Sequence, residues 1–290
     1  MKKLFSLFFV LFLVNALEAQ TSKMDDKSLL REIEQEVNSM SLREQISQLM
    51  MVAMYPKKGE DHAKEIESLI IDEKIGGLIM FQGTSEQIRV SLTRFQASST
   101  IPLLTSIDGE WGPGMRLSDA PSFPKAMALG AITEDSLLYS MGSEIARELK
   151  ELGIYVNFAP VVDVNNNPLN PVIGIRSYGD DPLSVAKKAG MYMHGMQDNG
   201  VMAVLKHFPG HGDTDSDSHK TLPQINHTKQ RLDSIELKPF ELLINEGAMG
   251  VMSAHLQVPA LDSTPGSISS FSSIIVNDLL KNEMKFSGLV

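Results

Sequence analysis

The chain has 290 residues, 26 Lys and Arg against 36 Asp and Glu, a net charge of −10 and no cysteine. This acidic balance argues against nucleic acid as a partner, because a phosphate-binding surface needs clustered Lys and Arg. The absence of cysteine excludes a disulfide framework, thiolate chemistry and a lipidation cysteine. The length suits one large domain, and a (β/α)8 barrel, which takes about 250 residues, would nearly fill it.

The N-terminal stretch is typical of a secretory signal. Lys2 and Lys3 precede an apolar run at residues 4–14, which is too short to span a bilayer, and Ala19 is a small residue at a plausible cleavage point. We therefore expect a signal peptide at 1–19 and one domain at 20–290, in a periplasmic or secreted protein that does not stay inserted in a membrane after cleavage. The alternative is a buried N-terminal helix.

Short apolar runs alternate along the chain with longer segments of helical periodicity. The predicted strands are the runs at 50–54, 77–81, 102–107, 155–164, 201–205 and 250–256. Apolar spacing predicts the helices at 26–50, 64–72, 137–152, 183–197, 232–245 and 274–283, with one more that Thr84 and Gln87 cap. Continuously apolar strands separated by helices predict an α/β fold with a parallel sheet covered on both faces.

Polar residues stand where several of the predicted strands end. Asp108, Asp163, His207 and His255 each fall at or just after the carboxyl end of an apolar run. A TIM barrel builds its active site at this end of its strands. A doubly wound sheet follows a similar rule, so the placement predicts an α/β enzyme and leaves the two architectures open.

The most unusual stretch is KHFPGHGDTDSDSH at 206–219, with three histidines and three aspartates in fourteen positions. It is too polar for a core segment, and it follows an apolar run directly. A rigid scaffold usually carries its chemistry on loops that follow strands in this way.

Metal binding is the alternative chemistry for this stretch. Its three alternating aspartates imitate the start of a calcium loop, but Ser218 and Gln224 stand where an EF-hand needs Gly and Glu. His207 and His211 have the i, i+4 spacing of a zinc helix, but Pro209 between them breaks a helix. We therefore expect neither a metal nor a cofactor.

Eight motifs in one order resemble a known family. They are GGLIMF at 76–81, IDGE at 107–110, FPKAMALGA at 123–131, NFAPVVDV at 157–164, IGIRSYGDDP at 173–182, KHFPGHGDTDSDSH at 206–219, VMSAHLQVPALD at 251–262 and FSGLV at 286–290. Together they resemble the glycoside hydrolase family 3 β-N-acetylglucosaminidases of the NagZ type over roughly residues 40–290. One departure is DGEWGPG after the third predicted strand, where many relatives have a more compact DQEGG, so the rim of the sugar pocket is expected to differ.

The resemblance implies a TIM barrel and a set of site residues. The six apolar runs become strands one to six, and residues 288–290 open strand seven. His219 corresponds to the general acid/base and Asp217 to its dyad partner. Four residues correspond to ligands of the terminal N-acetylglucosamine hydroxyls: Asp108, Arg176, Lys206 and His207.

The chemistry of the residues agrees with these roles. Glycoside cleavage needs a proton donor to the leaving oxygen, and a histidine can give and take a proton near neutrality. A carboxylate two residues away can accept the Nδ1 proton and orient the ring, as in a catalytic triad. We expect a retaining exo-β-N-acetylhexosaminidase acting on a small glycan or muropeptide in peptidoglycan turnover. The alternatives are a family 3 β-glucosidase, an N-acetylglucosamine phosphorylase and a non-catalytic glycan-binding remnant.

The resemblance places the nucleophile, an aspartate, just after strand seven and therefore beyond Val290. No residue of this chain is assigned as the nucleophile, and the barrel is expected to be incomplete, with about six strands and the start of a seventh. The activity of the isolated chain stays open at this point. Turnover of an aryl β-N-acetylglucosaminide by it would contradict the missing nucleophile.

Overall fold

The structure, a computed structural model, describes residues 26–215 and 222–290, so the predicted signal peptide lies outside the described residues. The chain divides into two compact units, Met1–Ser47 and Gln48–Val290. Helix α1 spans Asp26–Ser39 and α2 spans Leu42–Gln48. Ser41 caps α2: its amide donates to Glu44 Oε2 at 2.8 Å, and the Glu44 amide donates back to Ser41 Oγ at 3.3 Å. None of the helices in the described part of the chain is long and apolar enough to cross a membrane.

The second unit is built on a six-stranded sheet. Its strands are β1 Met51–Met54, β2 Gly77–Met80, β3 Leu104–Ile107, β4 Val156–Asn157, β5 Met202–Phe208 and β6 Gly250–Ser253. They are ordered β1-β2-β3-β4-β5-β6, and every neighbouring pair is parallel. A doubly wound sheet reverses its strand order at a switch point, so this sequential order confirms the incomplete (β/α)8 barrel.

A seventh position begins beside β6. Leu289 forms an isolated parallel bridge with Gly250, and the Val251 amide donates to the Leu289 carbonyl at 2.9 Å. The predicted opening of strand seven at 288–290 therefore lies where the next barrel strand belongs.

Helices connect the strands and cover the sheet. They are α3 Gly59–Ser68, α4 Ser85–Ser98, α5 Ala126–Gly130, α6 Ser136–Glu151, α7 Pro182–Gln197, α8 Lys229–Ser234 and α9 Lys238–Asn245, with π-type turns over Leu69–Glu73 and Ile274–Glu283. The predicted apolar face of α6 is buried at Leu138, Ile145 and Leu149, as amphipathic spacing requires. The predicted capping box of α4, between Thr84 and Gln87, is also present.

Several predicted elements differ in extent. The helix predicted at 26–50 is two helices, α1 and α2, and the strand predicted at 250–256 ends at Ser253. The run at 155–164 forms only a two-residue strand and an isolated bridge at Val161, because Pro160 has no N–H to continue a ladder. The predicted strand at 201–205 is longer, since β5 continues to Phe208 and so includes the first three residues of the polar stretch. The predicted helix at 232–245 is two helices, and Pro239 starts the second one.

Candidate active site

The carboxyl ends of β3 and β5 meet through one buried lysine. The Lys206 side chain is 2% exposed, and its Nζ lies 2.9 Å from Asp108 Oδ1 and 2.9 Å from Glu110 Oε1. Lys206 belongs to β5, and the two carboxylates follow β3. A buried ammonium is tolerated only when it is paired and hydrogen-bonded, so these two acids make the position of Lys206 possible.

Glu110 also binds Arg176, which ends a 3-10 turn at Gly174–Arg176. Arg176 Nε lies 3.0 Å from Glu110 Oε2 and Nη2 lies 2.7 Å from Oε1. This is the two-pronged geometry in which a guanidinium recognises a carboxylate best. Burial alone would raise the pKa of Glu110, but Lys206 and Arg176 outweigh it and lower that pKa to about 2.

Asp108 has a second cation besides Lys206. Arg116 Nη2 lies 2.9 Å from Asp108 Oδ2, and Arg116 Nε donates to the Asp108 carbonyl at 3.2 Å. Burial raises the pKa of Asp108, yet the charges of Lys206 and Arg116 hold it below its ordinary value. Asp108 is therefore an anion whose side chain keeps 22% exposure.

His207, the neighbour of Lys206 in β5, binds a buried carboxylate. Its Nδ1 lies 2.7 Å from Asp163 Oδ2, and its Nε2 lies 3.4 Å from Arg176 Nη2. Arginine only donates, so the partners assign the ring proton to Nδ1 and make Nε2 an acceptor. Burial, reinforced by Lys206 and Arg176 against the opposing pull of Asp163, lowers the pKa of His207. His207 is thus a neutral imidazole near pH 7.

Asp163 orients the loop that follows β5. Its side chain is fully buried, and its oxygens accept the amides of His207 at 3.2 Å and His211 at 2.6 Å. Burial raises the pKa of Asp163, but His207 and the His211 amide bring it below its ordinary value. Gly212 allows this approach, since a Cβ there would lie 1.8 Å from the Val164 carbonyl oxygen. These contacts support a role for Asp163 in orienting the loop.

The backbone between Asp108 and Glu110 is held by a buried amide. The Gly109 N–H donates to Asn157 Oδ1 at 2.8 Å, and Asn157 Nδ2 donates to the Gly109 carbonyl at 3.0 Å. Tyr192 from α7 donates to the same carbonyl at 3.2 Å. These three bonds fix where the two carboxylates flanking Gly109 point.

The structure brings all four predicted sugar-binding residues, Asp108, Arg176, Lys206 and His207, into this one cluster; their role stays a prediction. The predicted dyad residues His219 and Asp217 lie outside the described residues. His255 is exposed and lies beside Ser270 and the Phe271 ring, so it is not a core histidine.

Two members of the cluster were missed from sequence, Glu110 and Arg116. Glu110 stood in the IDGE motif at 107–110, two residues after Asp108. A lysine at the end of an apolar strand needs anionic partners. This need was the signal that could have identified Glu110 from the sequence. Nothing comparable pointed to Arg116.

A separate polar cluster joins the two sides of the loop after β5. Asp213, His227 and Glu236 have potential ligand atoms within 4.8 Å of one another. Asp213 Oδ2 lies 2.6 Å from His227 Nε2, while Arg231 Nη2 lies 3.6 Å from Asp213 and 3.3 Å from Glu236. A guanidinium therefore already balances these carboxylates, and the expectation of no metal stays a prediction.

The chain matches the model of the "Glycosyl hydrolase family 3 N terminal domain" over residues 41–290. Among curated proteins, beta-hexosaminidase A of Pseudoalteromonas piscicida is 38% identical over 250 residues, which cover 78% of this chain and 42% of that protein. Among solved structures, a glycoside hydrolase family 3 beta-N-acetylglucosaminidase from Paenibacillus sp. str. FPU-7 has a TM-score of 0.81 and 38% identity, covering 87% of this chain and 49% of the other.

A third relative was solved with a sugar analogue. NagZ from Neisseria gonorrhoeae, in complex with N-trifluoroacetyl-D-glucosamine, has a TM-score of 0.73 and 29% identity, covering 83% of this chain and 72% of the other.

A parallel α/β barrel with a charged cluster at the carboxyl ends of its strands defines a class of enzyme-like domains. Within that class, the chain belongs to the glycosyl hydrolase family 3 N-terminal domain family. It spans about half the length of the first curated relatives it matches, 42% in one case and 59% in another.

Proposed function

We propose that this chain is the sugar-binding barrel of a retaining exo-β-N-acetylhexosaminidase that removes terminal β-linked N-acetylglucosamine. The observation that carries the proposal is the cluster of Asp108, Arg176, Lys206 and His207 at one mouth of a family 3 barrel. Each of these side chains hydrogen-bonds another member of the cluster or Asp163 or Glu110 beside it.

The charge of the cluster suits an uncharged ligand rich in hydroxyls. Three carboxylates (Asp108, Glu110, Asp163) face three cations (Arg116, Arg176, Lys206), and His207 is neutral, so the charges cancel. A hydroxyl both donates and accepts, and the cluster offers partners of both kinds. Asp108 and Arg176, with side chains 22% and 24% exposed, are open to solvent and can reach a ligand.

The names of the relatives support the choice of sugar. Curated relatives at 30–38% identity are named beta-hexosaminidase, and the gonococcal neighbour was solved with a glucosamine derivative. These statements concern those proteins, and we extend them to this chain as a proposal.

For the proton transfer we propose His219, with Asp217 as the carboxylate that orients it. A histidine suits this task because its ordinary pKa of about 6.5 lets it act as acid and then as base in the two steps of a retaining mechanism. The attacking carboxylate is expected beyond Val290, as the family resemblance implies. His207 does not compete for the proton-transfer role, since Arg176 lies against its Nε2.

The natural substrate we propose is a small glycan or muropeptide outside the cytoplasm. The charge-then-apolar order of residues 1–19 supports export. The net charge of −10 supports a small neutral ligand and not a polyanion.

Binding of N-acetylglucosamine to this chain tests the sugar site. In a saturation-transfer NMR titration we expect N-acetylglucosamine to bind and Asp108→Asn to weaken binding by about tenfold or more, since a charged hydrogen bond contributes about 1.5–3 kcal/mol. Asp135→Asn is the matched control, because Asp135, at the start of α6, also pairs with two cations, Lys187 and Lys188 of α7. Equal affinity in the wild type and Asp108→Asn, or no binding by the wild type, would contradict the proposal.

The acid/base assignment is tested by turnover in a chain extended through barrel strands seven and eight. His219→Ala should lower the rate by about 10²–10⁴-fold for substrates with poor leaving groups, which need the proton. It should lower the rate much less for 2,4-dinitrophenyl substrates. Equal losses with both kinds of leaving group would remove His219 from the proton transfer.

A further inference from the structure

Glu110 is an enclosed carboxylate that contacts both Lys206 and Arg176. Its side chain is 7% exposed, against 22% for Asp108. One oxygen, Oε1, lies 2.9 Å from Lys206 Nζ and 2.7 Å from Arg176 Nη2, and the other, Oε2, accepts from Arg176 Nε at 3.0 Å. Glu110 therefore holds the two cations together and leaves little of itself to meet a ligand.

Counting donors shows what Glu110 does to its partners. Lysine has three N–H donors, and Lys206 uses two of them on Asp108 and Glu110. Arginine has five, and Arg176 uses two on Glu110, one on the Val172 carbonyl and one toward His207. Among the described residues, each cation keeps one donor for a ligand. Without Glu110 three more donors would be released, and nothing in the cluster would fix their directions.

Glu110 also decides the charge of the cluster. With it, three carboxylates balance three cations; without it, the balance is one positive charge. A surplus cation in a partly buried site attracts an anion, because the low effective dielectric strengthens the interaction. The neutrality that suits a sugar thus depends on this one side chain.

The backbone supports this role. Asn157 and Tyr192 hydrogen-bond both backbone polar groups of Gly109. The backbone from which Glu110 extends therefore has a fixed position. A Cβ on Gly109 would lie 3.2 Å from Asn157 Oδ1, which is closer than ordinary contact. The chain therefore gives Glu110 one direction, toward the carboxyl end of β5.

We propose that Glu110 is the positioning and specificity-determining residue of the sugar site: it aims Lys206 and Arg176 at the hydroxyls of an uncharged sugar and excludes anions. This inference rests on the proposed function for the identity of the sugar. It makes Glu110 a residue that acts through its two partners and does not itself bind the ligand.

Two ligands and two variants test it. In Glu110→Gln we expect N-acetylglucosamine binding, followed by saturation-transfer NMR, to weaken at least tenfold. In the same variant, inorganic phosphate binding, followed by calorimetry, should tighten at least fivefold over the wild type. A merely structural role would weaken the sugar and not create the phosphate site. Glu67→Gln is the matched control: Glu67 also pairs with an arginine, Arg94, through a 2.5 Å contact, and it also has a pKa of about 2, yet it lies on α3, so both affinities should stay at wild-type values.

Glu110→Asp keeps the negative charge but shortens the side chain, so it separates the effect of positioning Lys206 and Arg176 from the effect of charge. It also replaces Glu110→Gln in the test if that variant fails to fold. We expect it to weaken sugar binding and leave phosphate binding unchanged. The inference is overturned if a folded Glu110→Gln, or in its place Glu110→Asp, binds N-acetylglucosamine within twofold of the wild type. A wild type that binds no N-acetylglucosamine, with a Glu110→Gln that gains phosphate, would instead sink the proposed function and keep the anion exclusion.

Discussion

Lys206 and His207 are sequence neighbours in β5 with opposite electrostatic assignments. Lys206 is a buried cation between Asp108 and Glu110, while His207 is a neutral ring between Asp163 and Arg176. Neither state follows from the residue type alone. Each state is set by partners that other strands and loops bring to the same place, so the charge state of each residue in the cluster depends on its neighbours.

Asp163→Asn tests the dependence of His207 on its buried partner. In this variant an NH2 donor replaces one carboxylate oxygen. Either this donor meets the N–H donor at His207 Nδ1, or the ring proton moves to Nε2, where it meets the Arg176 donor. We expect a loss of about 2–4 kcal/mol in the free energy of unfolding by urea, as for other buried pairs that lose one member. The ¹⁵N shifts of the imidazole should show the changed tautomer.

Asp213→Asn is the control for that variant. The Asp213–His227 pair has similar geometry, at 2.6 Å, but its side chains are 20% and 33% exposed. Exposed pairs contribute about 0–1 kcal/mol, so the loss should be smaller. If the two variants lose the same stability, burial is not what makes the Asp163–His207 pair important.

At the scale of the element, the sequence predicted which segments form strands better than where they end. Apolar runs revealed all six strands, because buried parallel strands need continuous apolar residues. The end of β5 was missed because Lys206 looks like a loop residue until Asp108 and Glu110, almost a hundred positions earlier, neutralise it. The cluster was partly predictable for the same reason: motifs marked Asp108 and Lys206, but a pairing such as Glu110 with Arg176 depends on the folded chain.

Gly212 tests how closely the loop after β5 must approach the loop after β4. A Cβ at Gly212 would lie 1.8 Å from the backbone oxygen of Val164, so Gly212→Ala must move one of the two backbones. We expect a loss of about 1–3 kcal/mol, the usual cost of overpacking, and weaker N-acetylglucosamine binding because His211 and Asp163 shift with the loop.

Gly190→Ala is its control. Gly190 lies inside α7, and an added Cβ would meet only the ends of the Leu243 and Glu246 side chains, at 3.0 and 3.1 Å. Alanine also favours a helix by up to about 1 kcal/mol over glycine. Chemical unfolding should therefore show little loss for this variant. A Gly212→Ala protein as stable as Gly190→Ala would mean that the two loops have room to separate.

At the scale of the whole molecule, the site contributes to the pH dependence of stability. Three carboxylates there, Asp108, Glu110 and Asp163, all have pKa values below the ordinary range. A carboxylate whose pKa is lowered by folding stabilises the native state above its unfolded pKa, and this stabilisation is lost as the pH falls toward the folded pKa. Acid should therefore weaken the cluster and the fold together.

Glu110 gives this expectation a pH window. Its pKa falls from an ordinary 4.5 to about 2, which corresponds to about 3 kcal/mol of stability at pH 7. This contribution should be complete above pH 4.5 and should decline between pH 4.5 and 2. Urea unfolding of the wild type and Glu110→Gln should accordingly differ most at neutral pH, and the difference should shrink at pH 4 and again at pH 3, because a protonated Glu110 resembles the glutamine. A difference that stays constant from pH 7 to pH 3 would show that Glu110 is not held as an anion by Lys206 and Arg176, and the charge balance of the sugar site would need another origin.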